Sequence, residues 1–206
     1  MGAPQRSIIL QTFWNFVTDF GDSAVTLPLA ALTVAFLFFS RWRRAAIGFA
    51  ITLASCGIAI GLVKLALQSC GRPLLHTEIT NPSGHAAMST AVYGSLALLF
   101  NCSVSAERRW VLAGGAVALI GGIAVSRVVL DSHSLAEVAV GFLIGLAALF
   151  FFYRVLKAEP AMTFRSQWLA FAAVILIATM HGSRWPIEDI VRSIVHLIRH
   201  SVPSCA

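Results

Sequence analysis

Charge is what this chain has least of. Of its 206 residues, 12% are Asp, Glu, Lys or Arg, against roughly 25% in a soluble domain. Hydrophobic residues make up 58%, and the mean hydropathy is +0.82. Together these exclude a soluble globular protein and make the chain an integral membrane protein. The four cysteines, Cys56, Cys70, Cys102 and Cys205, fit no zinc spacing. Cys56 sits in an apolar run as a small packing residue. Cys70 and Cys205 fall on one expected membrane side, where a disulfide is an alternative to two thiols. His76, His181, His196 and His200 are scattered, so no metal cluster is expected. There is no internal repeat and no low-complexity segment. Met1 to Arg6 is polar, and no small-residue cleavage site follows a signal-like run, so insertion is expected to rest on the membrane helices themselves. The formal charge is +6, but no basic stripe or aromatic platform accompanies it, which excludes nucleic acid. The excess cations read instead as loop charges and anionic-lipid contacts.

What is present is a series of long apolar runs. A spanning helix needs about 20 mostly apolar residues. Six runs qualify: 23–40, 45–68, 84–104, 110–130, 134–155 and the shorter 166–183. The fold class is therefore all-α, a polytopic helix bundle forming one domain over residues 1–206 with its core at 20–183. Gly114, Gly115, Gly121 and Gly122 are expected to allow close helix approach in the fourth run. Residues 7–20 are too short to span and read as an interfacial helix. Residues 186–200 repeat apolar groups at Ile187, Ile190, Val191, Ile194 and Ile198, a helical stripe. Pro186 opens it, Glu188 and Asp189 lie in its first turn, and Arg199 and His200 in its last. It reads as an amphipathic end-piece, with a flap over the site as the alternative.

Loop charges set the orientation. Arg41, Arg43 and Arg44 follow the first run, Arg108 and Arg109 the third, and Arg154, Lys157 and Arg165 the fifth. Alternation puts all three loops on one face, expected to be cytoplasmic.

The membrane-embedded polar residues gather at the other ends of the runs. Lys64 with Arg72-Pro73, Pro82-Ser83-Gly84-His85, and Ser126-Arg127 with His133 and Glu137 each mark the edge of an apolar run. Charges in a bilayer cost about 2.5–3.5 kcal/mol each on insertion scales, so such groups usually mark a site. Proline disfavours helix in the residue before it, and Ser83 suits a helix N-cap. The free backbone N–H groups of the helix start then make an anion site, with Gly84 keeping the backbone approachable and His85 on the first turn. Read alone, the segment is more readily an ordinary cap beside a histidine. His133 and Glu137 are four apart and share a face if helical. A carboxylate on one imidazole nitrogen fixes the tautomer and leaves the other as nucleophile or base. Arg127 offers a planar fork for phosphate oxygens. Lys64, which alone could merely snorkel, adds charge with Arg72. Asp131 is expected to face solvent, and His76 and Glu78 to belong to an ordinary loop.

The order of these motifs resembles the type-2 phosphatidic acid phosphatase superfamily, the lipid phosphate phosphatases, over residues 20–155. That pattern is Lys, six residues, Arg-Pro; then Pro-Ser-Gly-His; then Ser-Arg, five residues, His, three residues, Asp. Residues 82–85 match fully, as do Ser126, Arg127 and His133. Two positions depart: seven residues separate Lys64 from Arg72, and Glu137 replaces the aspartate.

The resemblance implies that His133 attacks phosphorus, Glu137 orients it and His85 protonates the leaving oxygen. Lys64, Arg72, Ser83, Gly84 and Arg127 would hold the phosphate. It implies no cofactor and no metal. The expected substrate is a lipid phosphate or polyprenyl diphosphate: a polyprenyl diphosphate, phosphatidic acid, a phosphatidylglycerol phosphate or a lipid A phosphate. Membrane lipids would be the other partners. The expected location is the inner (plasma) membrane, with the site facing the periplasmic or extracytoplasmic side. The alternatives are a phosphotransferase using the same site and a catalytically degenerate lipid-binding member. Glu137→Asp is expected to retain or raise activity if the site follows the pattern. A transporter fits less well, because the polar groups sit at one face rather than at the midplane.

Overall fold

The computed structural model describes residues 3–69, 79–159 and 166–187, together with 189, 190, 193, 194 and 197. Arg72, His76, Glu78, Cys70 and Cys205 lie outside the described residues, as does most of the stripe at 186–200. Among the described residues the chain is all helical. In order it forms α1 (Ala3–Asp19), α2 (Ser23–Phe39), α3 (Arg43–Ser69), α4 (Gly84–Asn101), α5 (Ala106–Val129), α6 (Leu135–Lys157) and α7 (Ser166–Met180).

Among the described residues four stretches are long and apolar enough to cross a membrane: Ile8–Phe39, Arg43–Leu67, Ala106–Val129 and Leu135–Lys157. The first joins α1 to α2. Residues 7–20, expected as a separate interfacial helix, thus belong to a helix that packs along α5 and is parted from α2 by a short turn at 20–22. The fourth stretch closely matches the expected 134–155.

Of the six expected spans, α4 and α7 fall short of these criteria, for different reasons. α7 is 15 residues long and packs on α2. α4 is the centre of the bundle, in contact with α2, α3, α5 and α6. Its buried residues include Ser89, Thr90 and Ser95. A helix that meets protein on all sides has no lipid to match, so it tolerates small polar residues. The Ser89 and Thr90 hydroxyls donate to the Ala86 carbonyl within the helix itself. The surrounding helices turn Ile58 and Leu62 of α3, Val111 and Val117 of α5, Leu143 and Phe150 of α6 and Phe171 and Val174 of α7 outward, as lipid contact requires.

Close approach is carried by glycines other than those expected. A Cβ at Gly114, Gly115 or Gly121 would meet open space, and at Gly122 only ordinary contact with Val17. On α6, by contrast, a Cβ at Gly141 would overlap the Ser83 carbonyl oxygen, and one at Gly145 would come 2.5 Å from the Ala87 carbonyl oxygen. These two glycines, one turn apart, seat α6 on the start of α4. Glycine on α5 faces outward because that helix lies at the edge of the bundle.

At the end of the bundle away from α4's first residue, Phe49 of α3 meets Phe152 of α6 edge to face at 5.2 Å. A Cβ at Gly48 would strike Val155 there. Arg41, with Arg43 and Arg44 at the start of α3, and Arg154 and Lys157 at the end of α6 therefore lie together. The connectivity of α4 and α5 brings Arg108 and Arg109 to the same end. The starts of α2, α4 and α6 and the end of α5 gather at the other.

Candidate active site

A cavity of about 840 Å³ opens at that second end. Its walls include Lys64, Gly84, His85, Arg127 and His133, so three motifs drawn from α3, α4, α5 and the α5–α6 connection converge on one space. Arg72 lies outside the described residues.

The five-residue gap between Arg127 and His133 has a local cause. α5 ends at Val129, with the Leu130 N–H donating to the Ser126 carbonyl. Asp131 takes a left-handed backbone, φ 50°, the conformation that commonly stops a helix. The Ser132 and His133 N–H groups then both donate to the Arg127 carbonyl, at 3.0 and 3.2 Å. The chain doubles back, and His133 comes to rest beside the arginine that preceded it. Asp131 is exposed, as expected, and stands on the cavity wall.

His133 is not on a helix. Ser134 is the N-cap of α6, and Glu137 is the third helical residue of a capping box. The Ser134 hydroxyl accepts from the Glu137 N–H at 3.2 Å, and Glu137 Oε2 accepts from the Ser134 N–H at 3.2 Å. The same Oε2 lies 3.3 Å from His133 Nδ1. The expected pairing is present, made by a side chain reaching back past the cap instead of by two residues on one helical face. Both residues are buried, each about 7% exposed.

The other carboxylate oxygen ties this pair to the second motif. Glu137 Oε1 accepts from the Asn81 N–H at 2.7 Å, the Thr80 N–H at 3.1 Å and the Thr80 hydroxyl at 3.2 Å. The Glu137 carbonyl accepts from the Ser83 N–H at 3.1 Å. One residue therefore caps α6, holds His133 and anchors the segment that leads into α4. Glutamate has the length to do this, which accounts for the departure from aspartate.

Ser83 is the N-cap of α4, fully buried, with its hydroxyl accepting from the Ala86 N–H at 3.4 Å. It is not among the cavity-lining side chains. Gly84 begins the helix on the wall, where a Cβ would stand 4.0 Å from Lys64 Nζ. Lys64 is buried. Because α3 continues to Ser69, Lys64 reaches the cavity from within a helix. Ser126 does not reach the site: its hydroxyl donates to the Ile123 carbonyl at 2.6 Å. Among the described residues no three His, Cys, Asp or Glu side chains are close enough to hold a metal ion.

Several lining residues were not singled out from the sequence. Thr18 and Asp19 come from α1, Asp22 from the turn, and Arg184 and Trp185 from beyond α7. Arg127 Nη1 donates to Thr18 Oγ1 at 3.2 Å. Arg184 Nη2 bonds Asp19 Oδ1 at 3.1 Å, and the Trp185 N–H donates to Asp22 Oδ1 at 3.3 Å. The chain after α7 thus returns to the cavity, where Arg184, Trp185 and Ile187 line the wall. A signal was available for Asp19 and Asp22. Both are carboxylates at the edge of an apolar run, the criterion that drew attention to Glu137.

Residues 62–161 match the PAP2 superfamily. A Klebsiella pneumoniae protein described as an "Uncharacterized 22.5 kDa protein in cps region" is similar to this chain, 28% identical over 188 residues, covering 88% of this chain and 89% of that one. No solved structure matches.

Proposed function

We propose that this chain, which belongs to the type-2 phosphatidic acid phosphatase superfamily and is a membrane protein of the phosphatase type, hydrolyses a lipid phosphate or diphosphate through a phosphohistidine at His133. The observation that carries the reading is the His133–Glu137 pair, 3.3 Å apart, whose histidine stands on the wall of a cavity shared with Lys64, Arg127, His85 and the start of α4.

Glu137 on Nδ1 leaves the chemistry at this ring to Nε2. In the first step Nε2 bonds to phosphorus as the bond to the lipid oxygen breaks, and His85 gives its proton to that oxygen. In the second step water attacks phosphorus, its proton passes to His85, and the P–N bond breaks to release phosphate. The charge on the equatorial oxygens is met by Lys64, Arg127 and the backbone N–H groups at the start of α4. Arg72 is assigned to the same role by its place in the motif. Ser83 supports it indirectly, as the cap of α4. The steps as written call on no metal.

The basic loops at the opposite end support a site facing the extracytoplasmic side of an inner (plasma) membrane. A cavity at one end of a bundle of apolar helices favours a lipid ester over a soluble one. The test is phosphate release by purified protein in detergent with EDTA. The substrates are a polyprenyl diphosphate, phosphatidic acid and a phosphatidylglycerol phosphate, with His133→Ala as control. Release that is lost in His133→Ala is expected. Undiminished release by that variant, or transfer of label to an acceptor with no free phosphate, would overturn the reading.

A further inference from the structure

His85, the proton donor of this reading, faces a carboxylate of its own. Asp22 Oδ2 lies 3.7 Å from His85 Nε2, an ion-pair distance. Asp22 Oδ1 accepts from the Ala24 N–H at 2.8 Å and the Trp185 N–H at 3.3 Å. Glu137 is arranged in a similar manner, with Oε1 pinned to the Asn81 and Thr80 N–H groups and Oε2 shared between the Ser134 N–H and His133. The turn that presents Asp22 has little slack. Tyr93, on the same helix as His85, donates its hydroxyl to the Phe20 carbonyl at 2.6 Å. A Cβ at Gly21 would come 2.7 Å from Ile123 Cγ2 and 3.3 Å from His85 Cδ2. α4 and α5 thus clamp the turn on both sides.

Charge gives the arrangement a purpose. Lys64, Arg127 and Arg184 line the same cavity, and His133 and the exposed Asp131 complete its titratable wall. A protonated imidazole beside those cations is disfavoured unless an anion offsets them. Asp19 is engaged by Arg184 at 3.1 Å. Asp22 is a carboxylate within ion-pair reach of His85.

We propose that Asp22 is the positioning residue of His85, orienting the ring and holding on it the proton that passes to the leaving oxygen, so that the cavity works with two carboxylate–histidine pairs. This rests on the phosphatase reading. The proton moves from His85 to the lipid oxygen as the P–O bond breaks and the His133 N–P bond forms, and it is restored from the water of the second step. Asp22 itself gains and loses no proton.

The test exploits the leaving group. An alkyl phosphate leaves as a poor alkoxide and needs the proton, whereas p-nitrophenyl phosphate does not. Asp22 also caps α2, so Asp22→Asn and Asp22→Ser are used, since both residues retain a capping oxygen. In full-length protein in detergent, each variant is expected to lower the single-turnover rate of alcohol release from the alkyl ester about 100-fold while changing that of p-nitrophenol release by less than about threefold. KM should change little, Asp22→Glu should restore part of the rate, and Asp22→Asn should add nothing in a His85→Ala background. Equal losses on both esters, or additive losses in the double variant, would overturn the pairing and leave the phosphatase reading standing. Release from neither ester by the unaltered protein would overturn that reading and the pairing with it.

Discussion

Gly141 of α6 lies against the backbone of Ser83, so closely that a Cβ at position 141 would overlap the Ser83 carbonyl oxygen. The contact sets the spacing between the helix that carries Glu137 and the segment that opens α4. Gly141→Ala must push backbone from backbone, because no flexible side chain is there to give way. The expected cost is about 1–3 kcal/mol, read as a lowered melting temperature in detergent. Phosphate release should fall with it, since the Ser83 N–H to Glu137 carbonyl bond at 3.1 Å crosses the same contact. An unchanged melting temperature would show that α6 is free to shift.

Gly121→Ala is the counterpart. A Cβ there meets open space on the outward face of α5. Activity should be unchanged, and stability should rise by up to about 1 kcal/mol from helix propensity. Lost activity would mean that this face is occupied by something the isolated chain does not contain.

Glu137→Asp is expected to lower kcat about 10–100-fold, the usual range for a residue that orients a functional histidine. The shorter side chain cannot reach His133 and the Ser134 N–H on one side and Thr80 and Asn81 on the other. This reverses the expectation drawn from the superfamily's aspartate, because the extra methylene is used in the fold. Steady-state phosphate release decides it, and full activity in the variant would show that the Thr80 and Asn81 bonds are dispensable.

Arg127→Lys is expected to cost about 10²–10³-fold in kcat/KM, the range for losing a donor to developing charge. The substitution keeps the charge but removes the planar fork, and with it the donor that now meets Thr18 Oγ1 at 3.2 Å. Kinetics on one lipid phosphate measure it. A lysine variant with full kcat/KM would reduce the role of Arg127 to net charge.

Much of the site was legible before any contact was known. Lys64, His85, Arg127 and His133 are costly residues at the edges of apolar runs, and only a shared polar space makes such placements tolerable. They do share one. Less legible was how His133 meets Glu137. A spacing of four suggests a helical face, yet the same spacing is served by a capping box that begins one residue after the histidine.

Composition by itself determined that this chain is a helical membrane protein, because scarce charge and long apolar runs leave backbone groups no partners but those within a helix. Motif order pointed to the end of the bundle where the candidate site lies, because alternating helices bring the polar edges to one end and the basic residues to the other. Only the tertiary structure decided that α4 is the central helix, that Gly141 and Gly145 rather than the α5 glycines carry close contact, and that Asp22 stands beside His85. Each of these depends on which face of a helix meets which neighbour. The pattern along one helix records that a face is small, apolar or charged, and packing alone selects its partner from 60 residues away or more, as between Asp22 and His85.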